Sequence, residues 1–206
     1  MSSPSRAPVP APGAAFPPLD TRSPGRAARA VWAAAMAAVV AASNWLVQYP
    51  INDWLTWGAF SYPIAFLVTD VCNRCHGPRQ ARIIALWGVA VGFTLSWWLA
   101  NGRIAVASGA AFLLSQLLDV AVFNRLRRAS WWKAPFLGSI AASILDTAVF
   151  FSLAFHGTGF PWLPLALGDL AAKFLMAALL LAPYRALVRR LLAAPAAPLG
   201  APPRPT

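Results

Sequence analysis

The chain has 206 residues, 59% of them hydrophobic and 11% charged, with a formal net charge of +11. A soluble domain usually carries about 25% charged residues, so this composition excludes an ordinary soluble enzyme and indicates an all-α integral membrane protein. A positive charge of this size on a soluble chain would suggest nucleic acid. Here the basic residues occupy short connections between apolar runs, so the partner expected is the lipid bilayer and not a nucleic acid.

Residues 1–27, rich in Pro, Ser, Ala and Arg, hold too little apolar surface to bury and read as a disordered cytoplasmic tail. The first span is expected over 28–48. Ala41-Ala42-Ser43 has the look of a signal-peptide cleavage site, but the apolar run continues through Trp45-Leu46-Val47, which favours a retained span. The second span is expected over 54–71, kinked at Pro63. The third covers 81–100 and ends at the interfacial pair Trp97-Trp98. Spans four to six follow over 104–123, 134–155 and 164–182, and a Pro/Ala-rich tail from 193 to 206 reads as disordered. The whole of 28–192 is thus expected to form one six-helix transmembrane domain.

Lys and Arg alternate from connection to connection. Arg6, Arg22, Arg26 and Arg29 precede span one; Arg74, Arg79 and Arg82 follow span two. Arg125, Arg127, Arg128 and Lys133 follow span four, and Arg185, Arg189, Arg190 and Arg204 follow span six, while the intervening loops hold only Arg103. The positive-inside rule then puts both termini in the cytoplasm of a multi-pass inner-membrane protein.

The acidic inventory is six Asp and no Glu, and Asp70, Asp119, Asp146 and Asp169 fall in or beside apolar runs. A central Asp costs about 2.5–3.5 kcal/mol on insertion scales, against roughly 0.3–0.6 returned by each Leu, Ile, Phe or Val. A span can carry one, but it needs a reason. Leu118-Asp119-Val120-Ala121-Val122-Phe123 is echoed by Leu145-Asp146-Thr147-Ala148-Val149-Phe150. Ser108, Phe112, Ser115, Gln116 and Asp119 share one face of span four, and Ser139, Ser143, Asp146 and Phe150 form a comparable stripe on span five. A short loop makes these helices antiparallel neighbours, so the stripes are expected to face each other around a common polar compartment. In span six, Asp169 and Lys173 form an i,i+4 pair that can neutralise itself. Asp70 lies near the cytoplasmic end of span two, where a solvated helix end competes with a functional role. Asn44 and Gln48 make another i,i+4 polar pair, and the many tryptophans, Trp57 among them, lie at span ends. Titratable Asp70, Asp119 and Asp146 are candidates for proton coupling.

Cys72-Asn73-Arg74-Cys75-His76 fits the C-x-x-C-H signature of covalent haem attachment, which raises a membrane-bound electron carrier, or a metal site on Cys72, Cys75 and His76, as remote alternatives. The expected topology puts this motif in a cytoplasmic loop, the wrong side for c-type haem. No H-E-x-x-H, G-x-S-x-G or P-loop occurs, so neither enzymatic activity nor a cofactor or metal is expected.

Several motifs taken in order resemble the bacterial queuosine precursor transporters, also called the vitamin uptake transporter family. They are Ser43-Asn44-Trp45-Leu46-Val47-Gln48, Thr56-Trp57-Gly58-Ala59-Phe60-Ser61-Tyr62-Pro63 and Phe66-Leu67-Val68-Thr69-Asp70. Further on come Gln116-Leu117-Leu118-Asp119-Val120, Trp131-Trp132, Asp146-Thr147 and the Asp169/Lys173 spacing. The likeness covers about residues 43–190 and departs from the family pattern at residues 71–76. It implies a six-helix inner-membrane importer of 7-deazaguanine bases, 7-cyano- or 7-aminomethyl-7-deazaguanine, destined for tRNA modification. It also implies a fold similar to the substrate-binding subunits of energy-coupling-factor transporters. The alternative is a binding subunit or carrier for another small vitamin-like solute. For a deazaguanine, Asp119 or Asp146 is expected to grip the N1–H and exocyclic amine, with Gln116, Asn44 or Lys173 donating to the carbonyl and Asp169 close by. Phe112 or Trp57 is expected to cover the ring.

Overall fold

The computed structural model describes residues 24–193, so the terminal segments expected to be disordered lie outside the described residues except at their inner edges. There, helix α1 (Arg26–Leu46) begins two residues inside the expected tail, and the last helix runs on to Ala193. The chain continues through a small antiparallel hairpin, β1 (Pro50–Asn52) and β2 (Leu55–Thr56), then α2 (Gly58–Ser61) and α3 (Pro63–His76). Four further helices follow as α4 (Pro78–Leu99), α5 (Gly102–Leu126), α6 (Lys133–Phe155) and α7 (Leu163–Leu179), and α8 (Leu181–Ala193) closes the bundle.

Among the described residues, five helical stretches are long and apolar enough to cross a membrane: α1, α4, α5, α6 and the α7–α8 run over Leu163–Leu192. The expected second span departs from the sequence reading. Its first residues, including Trp54, belong to the hairpin, and what remains is two helices broken at Tyr62-Pro63. Proline supplies no N–H, and its fixed φ suits the first turn of a new helix better than the interior of an old one. Pro183, in the first turn of α8, acts in a similar way: it has no N–H to offer the carbonyl of Leu179, where α7 ends. The helical run that begins at Leu163 therefore continues past residue 182 as α8. At the other end of α3, Gly77 adopts φ 85°, a left-handed geometry that side chains resist, and Pro78 starts α4 at once.

Large apolar side chains such as Leu86, Trp87, Val106, Ile144, Leu167 and Leu175 point outward and are exposed along the long helices. In water such a surface would aggregate; against lipid tails it is the ordinary exterior. Inside, two apolar clusters hold the bundle. Met36, Val40, Ala65, Cys72, Ile84 and Phe112 join α1, α3, α4 and α5. Val71, Phe123, Ala134, Tyr184 and Val188 join α3, α5, α6 and α8 near the end that carries the basic connections. At that end Arg74 donates to the Tyr184 hydroxyl (3.1 Å) and the Arg127 carbonyl (3.1 Å), while Arg127 donates back to the carbonyls of Asn73 (3.0 Å) and Arg74 (2.8 Å). The last carbonyls of α3 are thus tied to the end of α5, and that of Asn73 also accepts from the Gly77 N–H. At the opposite end Arg103 donates to the carbonyls of Leu153 and His156, fastening the start of α5 to the end of α6.

Candidate functional site

A cavity of about 270 Å³ opens among the ends of α1, α4, α5, α6 and α7 that lie away from the basic connections, with Thr56 of the hairpin and Gly58 and Ala59 of α2 also lining it. Phe112, Phe150, Phe151, Phe155, Ile104 and Leu165 supply apolar wall; Asn44, Tyr62, Ser96, Ser108, Asp146, Asp169 and Lys173 supply the polar groups. Apolar walls with a few convergent polar groups are the ordinary make-up of a small-molecule site.

The polar floor is an ion triad. Lys173 Nζ lies 2.7 Å from Asp146 Oδ2 and 2.5 Å from Asp169 Oδ2, with Thr147 Oγ1 at 3.2 Å. The i,i+4 pair expected within α7 therefore forms, and α6 adds a second carboxylate that the spacing alone did not supply. Lys173 is only 4% exposed, and a buried ammonium without partners would cost far more than this fold can carry. Its three donors are all engaged here, so Lys173 has no proton left for a ligand carbonyl, which corrects the donor role expected of it. What Lys173 does is hold two carboxylates side by side at the cavity wall. Thr147 Oγ1 donates to Asp169 Oδ2 (2.8 Å), and Ser115 Oγ donates to Asp146 Oδ1 (3.2 Å), so both acids are oriented before any ligand arrives. The Ser115–Asp146 bond also shows the stripes of α5 and α6 facing each other, as their spacing predicts.

Asn44 stands among the other lining groups. Its Nδ2 donates to Val40 O (2.9 Å) and its Oδ1 accepts from Ser96 Oγ (2.7 Å), which leaves one amide proton available. Tyr62, at the break between α2 and α3, has its ring beside Phe112 (centroids 6.5 Å apart) and its hydroxyl beside Ser108.

Three expected site residues lie elsewhere. Gln116 is fully buried, with its Oε1 accepting from Thr69 Oγ1 at 2.7 Å across the α3–α5 contact. Asp119 is also fully buried, next to Asp70 and against Gly138. The echo between the Asp119 and Asp146 segments suggests equivalent positions, but antiparallel packing sets Asp119 at the level of Gly138. That level is about 12 Å along α6 from Asp146 at 1.5 Å per residue. The shared compartment expected for Asp119, Asp146 and Asp169 thus holds only the last two. Trp57 is 53% exposed and outside the lining. Asp70 is no solvated helix end, since it is 2% exposed. The C-x-x-C-H residues lie in the last turns of α3 and not in a loop: Cys72 is packed in the apolar core, and His76 meets Trp32 edge-on. Among the described residues no group of His, Cys and acidic side chains is placed to hold a metal ion.

The sequence reading missed Tyr62, Ser96, Phe151 and Phe155 as lining residues. Tyr62 precedes the helix-breaking proline, which was the available signal; nothing in the sequence paired Ser96 with Asn44.

Lipid-facing helices around a solute-sized cavity, with a fixed charge cluster at mid-helix depth, define a polytopic membrane protein of the small-solute transport class. Residues 96–188 match the family described as "Putative vitamin uptake transporter". The chain is 34% identical over 184 residues to the queuosine precursor transporter of Escherichia coli K12, covering 75% of this chain and 83% of the relative. It is 33% identical over 186 residues (70% and 79% coverage) to the "probable queuosine precursor transporter" of Haemophilus influenzae. A "probable queuosine precursor transporter" of Bacillus subtilis is 29% identical over 152 residues, with 58% of this chain and 65% of the relative covered. No solved structure matches the chain. This chain belongs to the queuosine precursor transporter family, whose members are named as transporters and not as enzymes.

Proposed function

We propose that this protein is a bacterial inner-membrane importer of a queuosine precursor, 7-cyano- or 7-aminomethyl-7-deazaguanine, supplied to tRNA modification. In this reading the broken α2–α3 segment is the second of six traverses, both termini are cytoplasmic, and the cavity lies in the outer half of the membrane. The basic connections, all at the opposite end of the bundle, support that orientation.

The observation that carries the reading is the carboxylate pair held by Lys173 inside an aromatic-walled cavity. A deazaguanine presents N1–H and an exocyclic amine as parallel donors, which suit a carboxylate. Asp169 Oδ1 accepts from no donor among the described residues, and Asp146 keeps a lone pair on each oxygen beyond its bonds to Ser115 and Lys173. These two acids read the guanine edge. The spare Asn44 amide proton serves the ring carbonyl, and Phe112, beside Tyr62, covers the ring face. The test is a bacterial strain unable to synthesise the precursor, supplied with each base and scored by queuosine in its tRNA. Expression of this protein restores the modification, and Asp169→Asn or Asp146→Asn abolishes it. Full restoration by both variants would end the assignment of the acids.

A further inference from the structure

Away from the cavity, α3 and α5 bury two more carboxylates against each other. Asp70 is 2% and Asp119 0% exposed, and the two lie within side-chain hydrogen-bonding reach. Neither Asp119 oxygen nor Asp70 Oδ1 meets a hydrogen-bond donor among the described residues. Gly138 makes room for the pair, because a Cβ there would stand 2.6 Å from Asp119 Oδ1.

Two further observations point to something held there. The amide nitrogen of Gln116, itself 0% exposed and one turn from Asp119, meets no partner among the described residues, although its Oε1 is fixed on Thr69, the neighbour of Asp70. A void of about 10 Å³ touches Asp70, Ser139 and Tyr184, which is room for roughly one water molecule. The charged and titratable groups facing the pair are Arg74, from α3 itself, and Tyr184, from α8; α6 presents Gly138 and Ser139, and α7 presents Ala177. With both acids ionised, Asp70, Asp119 and Arg74 together carry one net negative charge in an interior without bulk water. One proton removes it. A void this small has no space for the oxygen cage of a metal cation.

We propose that Asp70 and Asp119 form a second site of this carrier that binds one exchangeable proton between them and couples its movement to that of the solute. This rests on the transporter reading above. The step balances as one H⁺ from the outer water plus one carboxylate giving one carboxyl group, which later returns H⁺ to the cytoplasmic water as the carboxylate re-forms. α5 links the two sites: Ser115 bonds the cavity acid Asp146, and Asp119 lies one turn further along the same helix.

The test uses the full-length protein in liposomes with tritiated 7-cyano-7-deazaguanine and, separately, tritiated 7-aminomethyl-7-deazaguanine. With one proton carried per base, an inward gradient of one pH unit raises accumulation roughly ten-fold. Asp119→Asn loses that stimulation yet still exchanges external labelled base for internal unlabelled base; Asp70→Asn serves as the second variant. Infrared spectroscopy at neutral pH reads the proton independently of transport, as a protonated-carboxyl band that either substitution removes. Full gradient stimulation in both variants, stimulation by sodium in place of protons, or a spectrum that neither substitution changes overturns the proposal. Absence of exchange of either base by the unaltered protein overturns the carrier reading alone, and the infrared band still decides whether the proton site exists.

Discussion

Replacing Lys173 by Met tests whether the triad is the structural basis of the cavity. The substitution keeps the length of the stem and removes the charge that both carboxylates share. Their Oδ2 atoms are at most 5.2 Å apart, the limit set by contacts of 2.7 and 2.5 Å to one Nζ. At an effective dielectric of about 20, two bare charges at that distance repel by about 3 kcal/mol. This agrees with the roughly 3–5 kcal/mol lost when one partner of a buried pair is removed. For a chain of this size such a loss lowers the melting temperature by about 6–20 °C, measured by intrinsic tryptophan fluorescence in detergent or nanodiscs. The double variant Lys173→Met/Asp169→Asn recovers part of the loss, because it removes one of the two repelling charges. A single variant that melts with the unaltered protein, or a double variant that melts lower than the single, would refute the electrostatic account.

Asp169→Asn, which keeps shape and removes charge, weakens base binding by about 1.5–3 kcal/mol, roughly ten- to 150-fold, in equilibrium binding to purified protein. Trp57→Phe leaves the same affinity within about two-fold, because Trp57 stands outside the cavity; a large loss would return it to the site. Gly138→Ala presses a methyl group against Asp119 and destabilises the fold by about 1–3 kcal/mol, read from thermal melts. In inverted membrane vesicles, a polar maleimide labels Cys75 in a Cys72→Ala background, while Cys72 in a Cys75→Ala background stays unlabelled because it is fully buried. Labelling of Cys75 in right-side-out vesicles only would reverse the orientation.

Local chemistry made much of the architecture legible. Apolar runs long enough to cross lipid leave few alternatives, since a backbone at that depth must satisfy itself. The basic residues marked which connections share an end of the bundle, and the Arg74–Arg127 bonds between two of those connections agree. Asp169 and Lys173 are neighbours on one helix, so their pairing needs nothing beyond the 3.6-residue repeat. The boundaries failed where tertiary contacts or prolines intervened, as at Trp54, which lies in a hairpin, and around Pro183, which breaks the last helix without ending it.

What the sequence alone determined is the kind of molecule this is: a lipid-embedded helical bundle, with acids in its spans that demand a purpose. Hydrophobicity and i,i+4 spacing are local properties, and they survive in any arrangement of the helices. Which acids meet is not local. Asp119 and Asp146 stand in near-identical sequence settings, yet one faces Asp70 and the other faces Lys173, because antiparallel helices place them at different depths and against different neighbours. Only the packed bundle assigns one pair of aspartates to the cavity and sets the other pair apart from it.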